Sequence, residues 1–170
     1  AYDFGYIGDR PFFTSEHVEG ETLARRSPPP DVSTLLSIAR HIAEALAFLH
    51  RSGILHLDVK PSNIVLPIGG GRPVLIDFGL FRRGFASPPG AALQGSLPYM
   101  APEYYRGEAL GPWTDVYSFG VTMYRVAAGR FPRPGASSGQ GGDEAGWDPA
   151  PRPPSSFVEL LPTDFDRIVL

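Results

Sequence analysis

The chain contains no cysteine. Disulfide bonds, thiolate nucleophiles and zinc–thiolate centres are thereby excluded, and the composition suits a cytoplasmic protein. Lysine is nearly absent as well: of fifteen basic residues, Lys60 alone is a lysine. Arginine is a planar fork and lysine a compact point charge, so this one lysine marks a place where the two do not interchange. Positive charge is not in excess either, the formal net charge being -3. That balance offers no basis for a nucleic acid or an anionic membrane as partner. No secretory signal pattern is read, and no apolar run approaches the ~18 residues that span a bilayer, so no membrane-crossing segment is expected.

What is present is a chain of 170 residues, 42% of them hydrophobic, enough for one domain with a sizeable core. Its chemistry gathers in His56-Leu57-Asp58-Val59-Lys60-Pro61-Ser62-Asn63. Pro61 blocks helical continuation, so Asp58, Lys60 and Asn63 cannot share a helix face; they read as a loop turning polar groups toward one point. The apolar runs Ile64-Val65-Leu66 and Val74-Leu75-Ile76 flank a Pro/Gly-rich turn and predict a β-hairpin. That hairpin carries Asn63 and Asp77 to the same end, where an amide oxygen and a carboxylate converge. Convergent hard oxygens suit Mg²⁺ completed by phosphates and water. Asp58 is then left to accept a proton and Lys60 to neutralise a phosphoryl group, the two things phosphoryl transfer asks of a protein beyond positioning.

These residues resemble the protein kinase family, whose catalytic loop reads H-R-D-x-x-x-x-N and whose metal motif reads D-F-G, here Asp77-Phe78-Gly79. Two further stretches are similar to the family in the same order. Gly95-Ser96-Leu97-Pro98-Tyr99-Met100-Ala101-Pro102-Glu103 looks like the segment ending in A-P-E, and Asp115-Val116-Tyr117-Ser118-Phe119-Gly120 like the start of the buried central helix. The resemblance implies an α+β, protein-kinase-like fold: a mostly helical C-lobe with a remnant of the N-lobe sheet. Residues 1–23 would be that strand remnant and the hinge, and 24–170 the C-lobe, with 130–154 a Gly/Pro/Ser-rich flexible loop.

The resemblance also implies roles. Asp58 and Lys60 are the catalytic pair, in the Asp-x-Lys arrangement of serine/threonine kinases. Asn63 and Asp77 would hold Mg²⁺, and Glu16, Val18, Val65, Asn63 and Asp77 would meet ATP. Glu16-His17-Val18-Glu19-Gly20 resembles the hinge, with Ser15 as gatekeeper. His56 corresponds to a buried scaffold residue, Ser96 to a hydroxyl near Asp58 and Lys60, and Asp115 to the acid that takes catalytic-loop N–H groups. Asp115 also reads as an ordinary helix N-cap. Leu57 stands where most relatives carry the arginine that pairs with an activation-loop phosphate, so Ser87 and Ser96 would lack that partner; whether Arg82 or Arg83 substitutes is open. No G-x-G-x-x-G motif and no second lysine occur in the 170 residues. The missing N-lobe would therefore be required for activity in the parent protein. The arginine that pairs with the glutamate of A-P-E is not found either, which leaves Glu103 without that partner.

Local signals complete the picture. Ala1–Gly5 and Pro11–Val18 read as strands joined at Gly8-Asp9-Arg10, and Ser27-Pro28-Pro29-Pro30 as a stiff break. Asp31 caps a long helix with Leu35, Ala39, Ile42, Leu46 and Leu49 on one stripe and Gly53 beyond its end. His41 and His50 read as solvated residues of that helix, without metal-ligand spacing. Val116–Ala128 reads as a buried helix stopped by Gly129, and Phe157–Leu170 as a last helix interrupted at Pro162. The function expected is phosphorylation of protein serine or threonine by ATP, the isolated segment being inactive; the alternative is a pseudokinase-like nucleotide-binding or scaffold module.

Overall fold

The structure, a computed structural model, describes residues 3–8, 10–78, 80, 82–83, 95–133 and 150–170. Asp9, Gly79, Ser87 and most of the expected 130–154 loop lie outside these residues.

Asp31 starts helix α1 (Val32–Arg51) as its sequence requires, its Oδ1 accepting the N–H of Thr34 at 2.7 Å. Ser52 ends the helix, and Gly53 follows at φ +69°, the left-handed conformation that glycine takes without strain. Leu35, Ile38, Ile42, Leu46 and Leu49 are buried, while Ala39 is only half-buried. Positions 38 and 39 both fall on the apolar face of a 3.6-residue period, and the larger side chain takes the deeper place. By length and composition α1 is apolar enough to cross a bilayer, against the expectation that no segment is. Its buried stripe, with Arg40 and Glu44 paired at 2.8 Å on the exposed face, is that of a one-sided core helix.

Strands β1 (Asp3–Ile7) and β2 (Arg10–Thr14) form an antiparallel hairpin in register Phe4↔Phe13. β2 stops at Thr14, and residues 15–19 run on without regular structure, so the strand is shorter than the expected Pro11–Val18. β3 (Gly20–Thr22) then joins the predicted hairpin of β5 (Ile64–Pro67) and β6 (Val74–Leu75) in a sheet of order β3-β5-β6. Only glycine fits at position 20, where a Cβ would lie 2.3 Å from the Leu66 carbonyl oxygen. Leu23, directly after β3, packs into the main core. β4 (Ile54–Leu55) pairs with β7 (Arg82–Arg83), which sets Arg82 opposite Leu55.

The remaining helices are α2 (Pro102–Arg106), α3 (Pro112–Ala128) and α4 (Thr163–Val169). α3 begins before Val116 and ends where expected, at Gly129 with φ +70°. The last helix is shorter than expected. Pro162 cannot donate to a helical ladder and keeps the residue before it extended; Leu160 sits at φ +73° and is 90% exposed. Leu161 and Phe165 are buried with Phe119 and Met123 of α3, the α1 stripe, Val59, Ile64 and Leu75 in one core. Mostly helical with small sheets, the molecule is α+β, and this core supports the loop that carries Asp58.

Candidate active site

The site is built from α3 outward. Asp115, in the first turn of α3, is fully buried, and its carboxylate is spread over three donors. Oδ1 accepts the Leu57 N–H at 2.8 Å; Oδ2 accepts the His56 N–H at 2.9 Å and meets His50 Nε2 at 2.8 Å. A buried charge persists only when its lone pairs are used in this way. Asp115 is therefore not the N-cap, a position held by Gly111, whose N–H donates to Thr114 Oγ1 at 3.2 Å. His50 is not a solvated helix-face residue either. It lies four residues beyond Leu46 on the buried stripe, the one signal that could have placed it.

The pinned N–H matters because Leu57 sits at φ +63°, a left-handed conformation that costs a branched residue about 1–2 kcal/mol. Hydrogen bonding to Asp115 on one side and packing on the other hold it there. Its side chain is buried with Leu55 and Leu110, with Leu80 and Tyr104 alongside. Where arginine was the expected residue, the surroundings are apolar.

Past Leu57 the chain presents its polar groups. Lys60 Nζ lies 2.6 Å from Asp58 Oδ2 and donates to Ser96 Oγ at 2.8 Å. Asn63 Nδ2 donates to the Asp58 carbonyl and to Asp58 Oδ2, each at 2.9 Å. Among the described residues both side-chain donors converge on Oδ2, which leaves Oδ1 of Asp58 as the oxygen open to an incoming proton. Thr122 of α3 donates to the Val59 carbonyl at 3.0 Å. His56 is buried as scaffold: Nδ1 accepts the Asp58 N–H at 3.3 Å, and Nε2 faces the Ile76 carbonyl at 3.2 Å. Burial pushes its pKa below the usual imidazole value, with Asp115 acting in the opposite direction. A neutral ring with the proton on Nε2 fits both bonds.

The hairpin delivers the second acid. Ile76 N–H donates to the Asn63 carbonyl at 2.8 Å, extending the ladder beyond β6 and bringing Asp77 alongside Asn63. Asp77 is exposed, with φ +67°. Both amide hydrogens of Asn63 go to Asp58, so its Oδ1 is what remains for a cation. An amide oxygen and a carboxylate are hard donors of the kind Mg²⁺ takes alongside phosphate and water, and the residues present fit that ion. Among the described residues no group of three or more His, Cys, Asp or Glu converges into a metal cage. Glu16 is exposed and Val18 half-buried in the segment between β2 and β3; Val65 is buried in β5 against Gly20.

Glu103 has a partner that was not foreseen: Thr114 Oγ1 donates to its Oε1 at 2.7 Å, tying the A-P-E segment to the start of α3. Residues eleven apart across a turn give no periodic signal, so this contact was not legible.

A loop carrying an acid and a lysine, pinned from beneath by the buried carboxylate of a central helix and flanked by a hairpin ending in a second acid, defines a kinase C-lobe. Residues 2–145 match the protein kinase domain, and the chain belongs to that family. It is 34% identical over 175 residues to serine/threonine-protein kinase PknL of Mycobacterium tuberculosis, covering 99% of this chain and 43% of that protein. It is 33% identical over 182 residues to serine/threonine-protein kinase PknB of the same organism, covering all of this chain and 29% of the relative. With serine/threonine-protein kinase PknK of Mycobacterium bovis it shares 43% identity over 127 residues, 72% of this chain and 11% of the relative. The chain thus spans less than half the length of these relatives.

Proposed function

We propose that the protein carrying this chain phosphorylates serine or threonine hydroxyls of protein substrates with ATP, in the cytoplasm, with no nucleic acid or membrane as partner of this segment. The observation that carries the reading is the Asp58 carboxylate, with Oδ2 held by Lys60 at 2.6 Å and Asn63 at 2.9 Å, and Oδ1 without a side-chain donor among the described residues. In this reading Asp58 Oδ1 orients the substrate hydroxyl and takes its proton. Lys60, steadied by Ser96, places a positive charge beside the oxygens of the group in transit. Asn63 and Asp77 would hold Mg²⁺, and Glu16, Val18 and Val65 would border the adenine. Bound Mg-ATP supplies the activated phosphoryl group and the charge that offsets its oxygens. The reading further requires a Gly-rich phosphate loop and a strand lysine, neither of which occurs in these 170 residues.

The test is phosphate transfer from labelled ATP by the gene's full-length product. Asp58→Asn is expected to lower kcat by about 10²–10⁴-fold with nucleotide affinity nearly unchanged, because Asp58 meets the hydroxyl rather than the nucleotide. Asp77→Ala is expected to abolish Mg²⁺-dependent nucleotide binding. Equal effects of the two substitutions would show the roles misassigned. Tight nucleotide binding without any transfer would make the protein a nucleotide-binding module.

A further inference from the structure

Beside the catalytic loop lies a pocket of about 250 Å³, and Lys60 forms part of its wall. Arg26, just after β3, and Arg125, in the last turn of α3, line it together with Pro30, Ser62 and Tyr99. No acidic residue does. The charge of Lys60 is already offset by Asp58 at 2.6 Å. Those of Arg26 and Arg125 are not: among the described residues neither has a carboxylate partner. The guanidinium of Arg125 lies 5.4 Å from the Phe131 ring centre, a cation–π contact that brings no negative charge to it. A chain of net charge -3 therefore concentrates two unbalanced arginines in one concavity next to the proton-accepting carboxylate. A cation at the C-terminal end of α3 is favourable by itself, which accounts for Arg125. It does not account for Arg26, which arrives from a distant part of the sequence at the same pocket.

We infer that this pocket sets substrate preference by receiving an anionic side chain, carboxylate or phosphate, of the protein being phosphorylated. The inference rests on the kinase reading and names the substrate class for it. An acceptor hydroxyl at Asp58 fixes one point of the substrate chain. Lys60 spans from that carboxylate to the pocket wall, so the pocket lies within the reach of about three residues of extended chain. Two guanidinium forks engage carboxylate or phosphate oxygens in paired, charge-assisted hydrogen bonds, and Ser62 offers a further hydroxyl. A lysine or arginine of the substrate placed there would face like charges.

The experiment uses the full-length protein and peptides with one serine acceptor in neutral flanks. Glu, phosphoserine, Gln or Arg is placed in turn at each of the three positions before and after it. Glu or phosphoserine at one of these positions is expected to raise kcat/KM about tenfold over Gln, through KM, and Arg there to lower it. Comparing the Glu and phosphoserine arms tells whether carboxylate or phosphate is the better ligand. Arg125→Glu is expected to reverse the order of the Glu and Arg peptides; Arg26→Glu, at an exposed turn that tolerates substitution, is the second variant. Equal kcat/KM for Glu, phosphoserine and Gln at every position would overturn the inference, as would an acidic preference that survives both substitutions together. Turnover of the Gln peptide tests the kinase reading separately. If nothing is phosphorylated, fluorescence anisotropy of the labelled peptides still decides the pocket: tighter binding of Glu than Gln peptide, lost in Arg125→Glu, supports it, and equal binding refutes it.

Discussion

The loop from His56 to Asn63 and the hairpin of β1 and β2 hold their backbones in opposite ways. The loop's one regular piece is a 3-10 turn over Pro61–Asn63, yet most of it is buried, and side chains take up its polar groups: from α3, Asp115 the N–H groups of His56 and Leu57 and Thr122 the carbonyl of Val59; from within the loop, Asn63 the carbonyl of Asp58. The hairpin has a complete ladder but forms a two-stranded sheet by itself, with Tyr6 66% and Ile7 73% exposed. An isolated two-stranded hairpin is marginal in water. Regularity and rigidity are thus separate properties here. Groups that must be placed to within a fraction of an ångström sit where tertiary contacts over-determine them.

Substitutions should grade with that difference. The largest effect is expected from Asp115→Ala, which leaves two loop N–H groups and His50 without their acceptor. A loss of about 3–5 kcal/mol in urea unfolding is expected, with activity falling in parallel. A loss below about 1 kcal/mol would mean that the loop is held by something else.

Next comes Leu57→Arg, which introduces the arginine of the family's H-R-D motif but places a guanidinium among Leu55, Leu110 and Leu80. Stability is expected to fall by about 2–4 kcal/mol, and activity not to rise. Phosphatase treatment of the unaltered protein should leave its activity unchanged. A tenfold or greater drop, traced to a phosphosite between Asp77 and Glu103, would show that another basic group, such as Arg82, has taken over the pairing.

A smaller effect concerns pH. Burial lowers the pKa of His56, so the unfolded chain takes up a proton near the ordinary imidazole pKa of about 6.5 that the folded chain refuses. More protons on the unfolded state mean that stability is fully present above that pH and declines as pH falls below it. Unfolding midpoints at pH 7.5 and 5.5 should therefore differ less in His56→Gln than in the unaltered protein. An equal difference would show that another group governs the acid limb.

The smallest effect is expected in the hairpin. Ile7→Ser should change stability by no more than about 0.5 kcal/mol, since its side chain is already in water. A loss comparable to that of Asp115→Ala would erase the contrast between the two regions.

The amino-acid sequence determined whatever depends on neighbours within about a turn or along one strand. The Asp31 cap, Gly53 and Gly129 as stops, the β5–β6 hairpin and the motif order of the kinase family could all be read from it. So could the loop character of His56 to Lys60, because Pro61 forbids a helix running through it and opens only a 3-10 turn ending at Asn63. Other features were decided only when the core closed. His50 meets Asp115 across 65 positions, Thr114 meets Glu103, Leu57 turns into an apolar cluster, and Arg26 and Arg125 meet at one pocket. The physical reason is the range of the interactions. Capping, periodicity and proline geometry act within a few residues and leave a pattern in the chain. A buried charge or an uncovered arginine is defined by what the packed core brings beside it, and no local pattern records that.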